Sequence, residues 1–449
     1  MQLERQRELF DNRSLARLIL PLMVEQLLGM TIGMADTVMV SSLGEAAVSA
    51  VSLVDSINII LINIFSALAT GGAVVASQYL GHQEPAKCRD SARQMYHMAF
   101  LVAMVIAAAC LVLNRTVLTA SFGHVERAVM DNAVTYFTLS ALSYPFLAVY
   151  NAGAALFRAM GNSKISMKAS ILMNIVNIGG NAITIFGFGW GVAGAGLATL
   201  LSRALGAVLI TCWISDRHLP IYLEKLHVFS FKRDMIGRIL KIGVPSGLEN
   251  GMFQLGKLLV VNLISTFGTS AIAANAISNT LANVAIVPGM AINLAIVPVV
   301  GQCMGAGDAN QASRNIRKLM LLLTGLHAVT GILLAIFCGP LTGLFNLTEE
   351  ATVMTIDILR MYGVLLPMFW AFSFTLPCAL RGAGDARFTM VVAIVSMGVC
   401  RILCSYLFGQ GMGMGLFGVW LAMIVDWLAR GGFYGWRCLS GKWKTKKVI

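Results

Sequence analysis

Long apolar runs separated by short polar segments fill almost the whole chain of 449 residues. A helix needs ~20 mainly apolar residues to cross a lipid bilayer, and most of the runs reach or exceed that length. In lipid, only helices and closed barrels satisfy their own backbone hydrogen bonds. The pattern predicts twelve transmembrane helices, near residues 15–40, 46–80, 95–113, 133–157, 165–186, 192–214, 236–266, 272–303, 319–345, 352–380, 388–409 and 415–437.

Composition supports a membrane protein. Hydrophobic residues make up 57% of the chain and charged residues 12%, whereas soluble domains have ~25% charged residues. The net charge of +12 does not indicate nucleic-acid binding, because the basic residues are spread over short loops. The nine cysteines lie mostly within apolar runs and show no CxxC spacing, so they are interpreted as small buried side chains.

Lysine and arginine predict the orientation. Of the 33 basic residues, 27 lie before the first run, in every second loop or after Ala429. The positive-inside rule assigns such segments to the cytoplasm. We therefore expect a multi-pass protein of the bacterial cytoplasmic (inner) membrane, with both termini and the connector between the sixth and seventh spans in the cytoplasm.

The two halves of the chain resemble each other. A single displacement along the sequence aligns Pro21 with Pro245 and Glu25 with Glu249. Apolar helices share leucine by chance, but not proline and glutamate at one offset. Six spans in each half give both halves the same orientation, as in parallel-repeat transporters. The predicted fold is all-α with two pseudo-symmetric six-helix lobes, at 1–214 and 236–437, joined by a connector at 215–235 and followed by a basic tail at 438–449.

Four motifs, in order along the chain, resemble the multidrug and toxic compound extrusion (MATE) family. They are Gly33-Met-Ala-Asp-Thr-Val-Met-Val, Ser77-Gln-Tyr-Leu-Gly81, Arg158-Ala-Met-Gly-Asn-Ser and Gly191-Val-Ala-Gly-Ala-Gly-Leu-Ala-Thr199. The resemblance implies two lobes forming a V and a monomeric secondary active antiporter. Such a protein exports small organic, often cationic, drugs or metabolites in exchange for H⁺ or Na⁺ by alternating access. It needs no cofactor besides the coupling ion.

The resemblance also implies a site for the coupling ion in the N-terminal lobe. An aspartate on the first span, here Asp36, meets residues of the fifth and sixth spans, here Asn177 and Thr199. The family's second acid on the fifth span is replaced by Asn181, which shares a helix face with Asn177. One carboxylate fewer favours H⁺ over Na⁺, although both stay open. Alternatively, Asp36 only joins the first helix to its neighbours by a hydrogen bond.

Other charges inside the spans also need a reason, because each costs ~2.5–3.5 kcal/mol on insertion scales. Asp55 is interpreted either as a second proton carrier or as a partner of Arg203. Glu25 and Glu249 either reach interfacial water or form a pair that attracts cations at the inner mouth.

In the second half, Lys257 is expected to have a carboxylate partner, with Glu249 and Asp36 as candidates. Arg401 and Asp426 are predicted to form a structural ion pair between the last two spans. No metal other than sodium is expected.

Three alternatives differ in class. A flippase of a lipid-linked intermediate, from the same superfamily, would need a strongly cationic cavity, and acids outnumber Lys257, Arg203 and Arg401 in the spans. A membrane enzyme is disfavoured because the chain has neither HExxH nor GxSxG. A channel is disfavoured because acids buried in a repeated two-lobe fold suit alternating access better than an open pore.

Overall fold

The computed structural model describes residues 8–123, 125–224 and 231–449. These residues form helices and connecting turns without a β-strand. The helices are α1 Asn12–Ser41, α2 Glu45–Gly81, α3 Pro85–Val112, α4 Asn114–Phe122, α5 Arg127–Ala159, α6 Ser163–Gly187, α7 Gly191–Ile214, α8 Arg233–Ser265, α9 Thr269–Ala285, α10 Val287–Gly305, α11 Ala309–Thr342, α12 Glu349–Gly382, α13 Ala386–Gly411 and α14 Gly415–Leu439.

Eleven of the described helices are long and apolar enough to cross a membrane. α8 is not among them, although it is 33 residues long, since it carries Lys241, Glu249 and Lys257 among its apolar residues. It coincides with the predicted seventh span. With α8, the described helices account for the twelve predicted spans.

The structure differs at two places from the helices that the apolar runs predict. The eighth run is divided, because α9 ends at Ala285 and α10 begins at Val287. Pro288 has no N–H to donate and disfavours a helical conformation in the residue before it, which explains the break. The nine-residue helix α4 lies in a segment that the hydrophobic pattern leaves as a loop.

The described chain divides into two compact units. The N-terminal unit is Asn12–Gly247, and the C-terminal unit is Leu248–Ile449 together with residues 8–11. The division falls inside α8. Its first half packs closely in the N-terminal unit, where a Cβ atom added to Gly71 would lie 2.5 Å from the carbonyl oxygen of Ile239. Glycine at this position therefore allows α2 and α8 to approach closely.

Turn geometry repeats between the two halves. Gly44 and Gly268, which the displacement of the repeat aligns, precede α2 and α9 with φ angles of +97° and +96°. Gly189 and Gly413 are aligned by the same displacement and have φ angles of +66° and +67°. Side chains other than glycine rarely adopt this region. The same backbone turns at one constant offset support the internal repeat.

Candidate functional site

Asp36 and Asn181 meet inside the N-terminal unit. Asp36 lies on α1, five residues before its end at Ser41, which is ~8 Å along the helix axis. The Asn181 Nδ2 atom donates a hydrogen bond of 2.6 Å to Asp36 Oδ1. Asn181 is buried, Asp36 is half-buried, and no described residue forms an ion pair with this carboxylate. A neutral amide therefore holds a carboxylate within a membrane span.

Asparagines line one face of α6. Asn174, Asn177 and Asn181 are spaced i, i+3 and i+7, and all three are buried. Asn177 donates a hydrogen bond of 3.3 Å from Nδ2 to the Thr199 hydroxyl on α7. The amide oxygens of all three asparagines lack a hydrogen-bond partner among the described residues. Sequence reasoning missed Asn174, although its helical spacing from Asn177 was a usable signal.

Asp55 and Arg203 have separate partners. Asn58 Nδ2 donates to Asp55 Oδ1 at 3.0 Å, and the Tyr144 hydroxyl donates to Asn58 Oδ1 at 2.7 Å. Arg203 Nη1 donates to the Ser143 hydroxyl at 2.7 Å. Asp55 and Arg203 do not form the direct ion pair that was one of the two interpretations, because a neutral polar partner lies within reach of each.

The charges in this part of the N-terminal unit do not cancel. Asp36 and Asp55 lie close enough to interact electrostatically with each other and with Arg203. Two carboxylates and one guanidinium leave one negative charge. Together with the unpartnered amide oxygens of Asn177 and Asn181, this arrangement can accept one proton or one monovalent cation. We call Asp36, Asn177, Asn181 and Thr199 the carboxylate site.

Glu25 is paired with an arginine. Its carboxylate lies 3.7 Å from Arg158 Nη1 and accepts a hydrogen bond of 2.7 Å from the Ser166 hydroxyl. The exposed fractions of the Glu25 and Arg158 side chains are 11% and 14%. The prediction that this carboxylate reaches water or attracts cations is therefore wrong, because an arginine already balances its charge.

Glu249 has the equivalent partners in the C-terminal unit. Arg381 Nη1 lies 2.8 Å from its carboxylate, and the Thr389 hydroxyl donates to it at 3.2 Å. The prediction that the Glu249 carboxylate reaches water or attracts cations is therefore also wrong. The two arginines were already aligned by the repeat, at a slightly smaller displacement than the glutamates, so the repeat contained the signal for both pairs.

Two further predictions for the C-terminal unit need correction. Asp426 pairs with Arg430 at 2.8 Å, and not with Arg401, because Arg430 lies one turn along the same helix. The second oxygen of Asp426 accepts a hydrogen bond of 2.5 Å from Ser396. Lys257 has no carboxylate within 4.0 Å in the described chain, so the predicted carboxylate partner is wrong. Of the two candidates, Glu249 is paired with Arg381, and Asp36 belongs to the other compact unit.

The MatE family model matches residues 21–183 and 245–407. The two matches begin at Pro21 and Pro245, which the sequence comparison of the halves aligns with each other. The chain belongs to the MATE family of efflux transporters.

Relatives of this MATE transporter are similar along nearly their whole length. An uncharacterised transporter of Bacillus subtilis, YisQ, is 30% identical over 439 residues, covering 96% of this chain and 95% of the relative. A probable multidrug resistance protein of Thermotoga maritima, NorM, is 28% identical over 445 residues, covering 97% and 94%.

Solved structures show the same fold. A MATE protein in a bent conformation has a TM-score of 0.88 at 21% identity, and covers 95% of both chains. An outward-facing multidrug resistance MATE transporter has a TM-score of 0.89 at 20% identity, and covers 97% of both. The predicted all-α membrane fold, with twelve spans in two repeated six-helix lobes, is confirmed.

Proposed function

We propose that this MATE protein is a secondary active antiporter that exports small organic compounds, cationic ones among them, in exchange for H⁺ or Na⁺. The observation that carries the proposal is the contact between Asp36 and buried Asn181. An ionisable group inside a span needs a functional or structural reason, and here its partner is neutral. The carboxylate is therefore available to a coupling ion.

Binding of the ion at Asp36 changes the contact between α1 and α6. The ionised carboxylate accepts the Asn181 N–H, whereas a protonated carboxyl is a weaker acceptor and offers an O–H of its own. α1 is suited to respond, because Gly29 and Gly33 have no neighbour within 4 Å of an added Cβ atom. We infer that protonation repositions the second half of α1 and drives release of the substrate to the outside.

Sodium also fits the residues. Hard monovalent cations prefer oxygen ligands, as magnesium and calcium do. The carboxylate site offers Asp36, the unpartnered oxygens of Asn177 and Asn181, and the Thr199 hydroxyl. With a single acid in this set, we favour H⁺ as the coupling ion. We further propose that the protein acts as a monomer in the bacterial inner membrane with both termini in the cytoplasm, and that it is not an enzyme.

Ethidium export from pump-deficient bacterial cells tests this function. Wild-type protein and Asp36→Asn are compared with sodium present and absent, and Asp131→Asn serves as the control, because Asp131 contacts the exposed Arg115 and Arg127. We expect sodium-independent export by wild type and by the control, and none above background by Asp36→Asn at equal membrane abundance. Gradient-driven export that survives Asp36→Asn would refute the role of this carboxylate.

Flipping of a lipid-linked intermediate is the second candidate. One observation favours it: Lys257 and Arg401 lie in the C-terminal unit without an ion pair to a described acid. A flippase would not export ethidium in that assay, although the protein would be present in the membrane.

A further inference from the structure

Lys257 and Arg401 line one cavity of the C-terminal unit. The cavity is small, with a volume of about 40 Å³. Lys257 is exposed and lies ~12 Å before the end of α8, and Arg401 is half-buried ~15 Å before the end of α13. Charged side chains inside a span face a bundle interior or a water-filled cavity and not lipid. Both cations are therefore directed to this cavity.

Neither cation forms an ion pair with an acid in the described ranges of the chain. The Asp426 carboxylate is shared by Arg430 and Ser396, and the Glu249 carboxylate by Arg381 and Thr389. The buried Nε atom of Arg401 has no acceptor in the part of the chain that the structure describes. The cavity thus carries about two positive charges without an ion-pair partner among the described residues, and Arg401 is kept there despite the cost of its partial burial.

The neutral polar groups of the cavity also present donors. Asn275 Oδ1 accepts hydrogen bonds of 3.1 Å from both Trp420 Nε1 and Asn279 Nδ2. Since its oxygen is occupied, the Asn275 amide can offer only N–H groups to a ligand. Two cations and an oriented amide donor are a set suited to an anion.

The repeat relates this cavity to Asp55 and to three of the four residues of the carboxylate site. At the displacement that aligns the two halves, positions 36, 55, 177 and 199 correspond to Val260, Asn279, Arg401 and Met423. All four of these residues line the cavity. The two acids at positions 36 and 55 are thus replaced by neutral residues in the C-terminal half. The amide at position 177 is replaced by the guanidinium of Arg401. The same position in the two halves has opposite charge.

A larger cavity lies one turn away along the same helices. It has a volume of about 200 Å³ and is lined by Phe253 and Met397, which precede Lys257 and Arg401 by four residues. Phe374 also lines it, with its ring edge-to-face to Phe253 at 6.1 Å between centroids. The rings of Phe253 and Phe374 provide apolar surface on which a flat aromatic ring system can pack.

We propose that the C-terminal unit binds the oxyanion group of the transported substrate at Lys257 and Arg401, with the aromatic body of the substrate in the cavity of Phe253, Phe374 and Met397. The substrates then include zwitterions that carry a carboxylate, and these bind more tightly than organic cations of the same shape without one. The proposal rests on the antiporter function proposed above and deepens it.

Binding of two dyes to the purified full-length protein tests the proposal. Rhodamine 110 carries a free carboxylate and rhodamine 123 is its methyl ester, so the pair differs only at the proposed oxyanion. Fluorescence polarisation should show rhodamine 110 bound at least about tenfold more tightly by wild type. Lys257→Gln and Arg401→Gln should each weaken the binding of rhodamine 110 about tenfold and leave the affinity for rhodamine 123 unchanged. Arg360→Gln, at an exposed position, should change the affinity for neither dye.

Retained rhodamine 123 binding shows that a variant is folded, and Lys257→Arg should keep most of the affinity for rhodamine 110. Equal wild-type affinities for the two dyes, or equal losses of both in the variants, would overturn the proposal. Displacement of rhodamine 110 by inorganic pyrophosphate and not by benzoate would also overturn it, in favour of a phosphorylated head group. The assay needs no ion gradient, so failed ethidium export with selective dye binding would refute only the antiporter.

Discussion

The two glutamate–arginine pairs should differ in their contribution to stability. Both carboxylates are nearly buried and have an arginine and a hydroxyl as partners, but Arg381 lies 2.8 Å from Glu249 while Arg158 lies 3.7 Å from Glu25. Removing one partner of a buried pair costs ~3–5 kcal/mol, because it leaves the other charge uncompensated. We expect Glu249→Gln to cost about 3 kcal/mol, since the side chains keep 12–13% exposure.

Glu25→Gln should cost less, about 1 kcal/mol, because the contact with Arg158 is longer than a hydrogen bond and Ser166 remains as a partner. For a unit of about 200 residues, 1 kcal/mol shifts the melting temperature by ~2–4 °C. Glu249→Gln should therefore melt ~6–12 °C below wild type, and Glu25→Gln ~2–4 °C below.

Thermal unfolding of the purified protein, followed with a thiol-reactive fluorophore, measures both shifts. The double variant Glu249→Gln/Arg381→Gln should melt above Glu249→Gln alone, because it no longer leaves an unpaired guanidinium. Exposed Glu350→Gln on α12 is the matched control and should stay within ~0.5 kcal/mol of wild type. Equal shifts for the two glutamates, or no recovery in the double variant, would refute this reasoning about charge pairing.

Two further predictions concern the N-terminal unit. Asn181→Asp places a second carboxylate beside Asp36, so ethidium export should become dependent on sodium. Export that stays independent of sodium would contradict the proposal that the oxygens of the carboxylate site bind a cation. Gly71→Ala should lower the melting temperature, because the new Cβ atom would lie 2.5 Å from the backbone oxygen of Ile239. Gly29→Ala has open space and should not lower it, so equal destabilisation by both would count against the close approach of α2 and α8.

Hydrophobic length and the repeat made the fold predictable from sequence. Lipid leaves the backbone few choices, so about twenty apolar residues specify a helix almost regardless of which apolar residues they are. The failures are local. α4 is too short and too polar for that argument, and the break at Ile286 depends on where Pro288 lies within an otherwise continuous run.

Charge partners were predicted less well than spans. Asp36 and Asn181 do meet, but Asp426 pairs within its own helix with Arg430, which the orientation rule counts among the basic residues on the cytoplasmic side. Glu249 illustrates the reason: its partner Arg381 lies far away along the chain, and helix rotation decides which of several arginines reaches it. Only a comparison of the two halves position by position would have indicated this pair.

The same comparison shows how the two halves have diverged. The Glu–Arg–hydroxyl set is kept in both, which suits a structural role that each six-helix unit needs. Asp36 and Asn177, in contrast, correspond to Val260 and Arg401. Under the proposed assignments, a coupling cation and a substrate oxyanion bind to groups of opposite charge in separate units. The coupling cation and the substrate do not compete for one carboxylate. Their exchange must therefore be coupled through a change in helix arrangement, such as the response of α1 to protonation of Asp36.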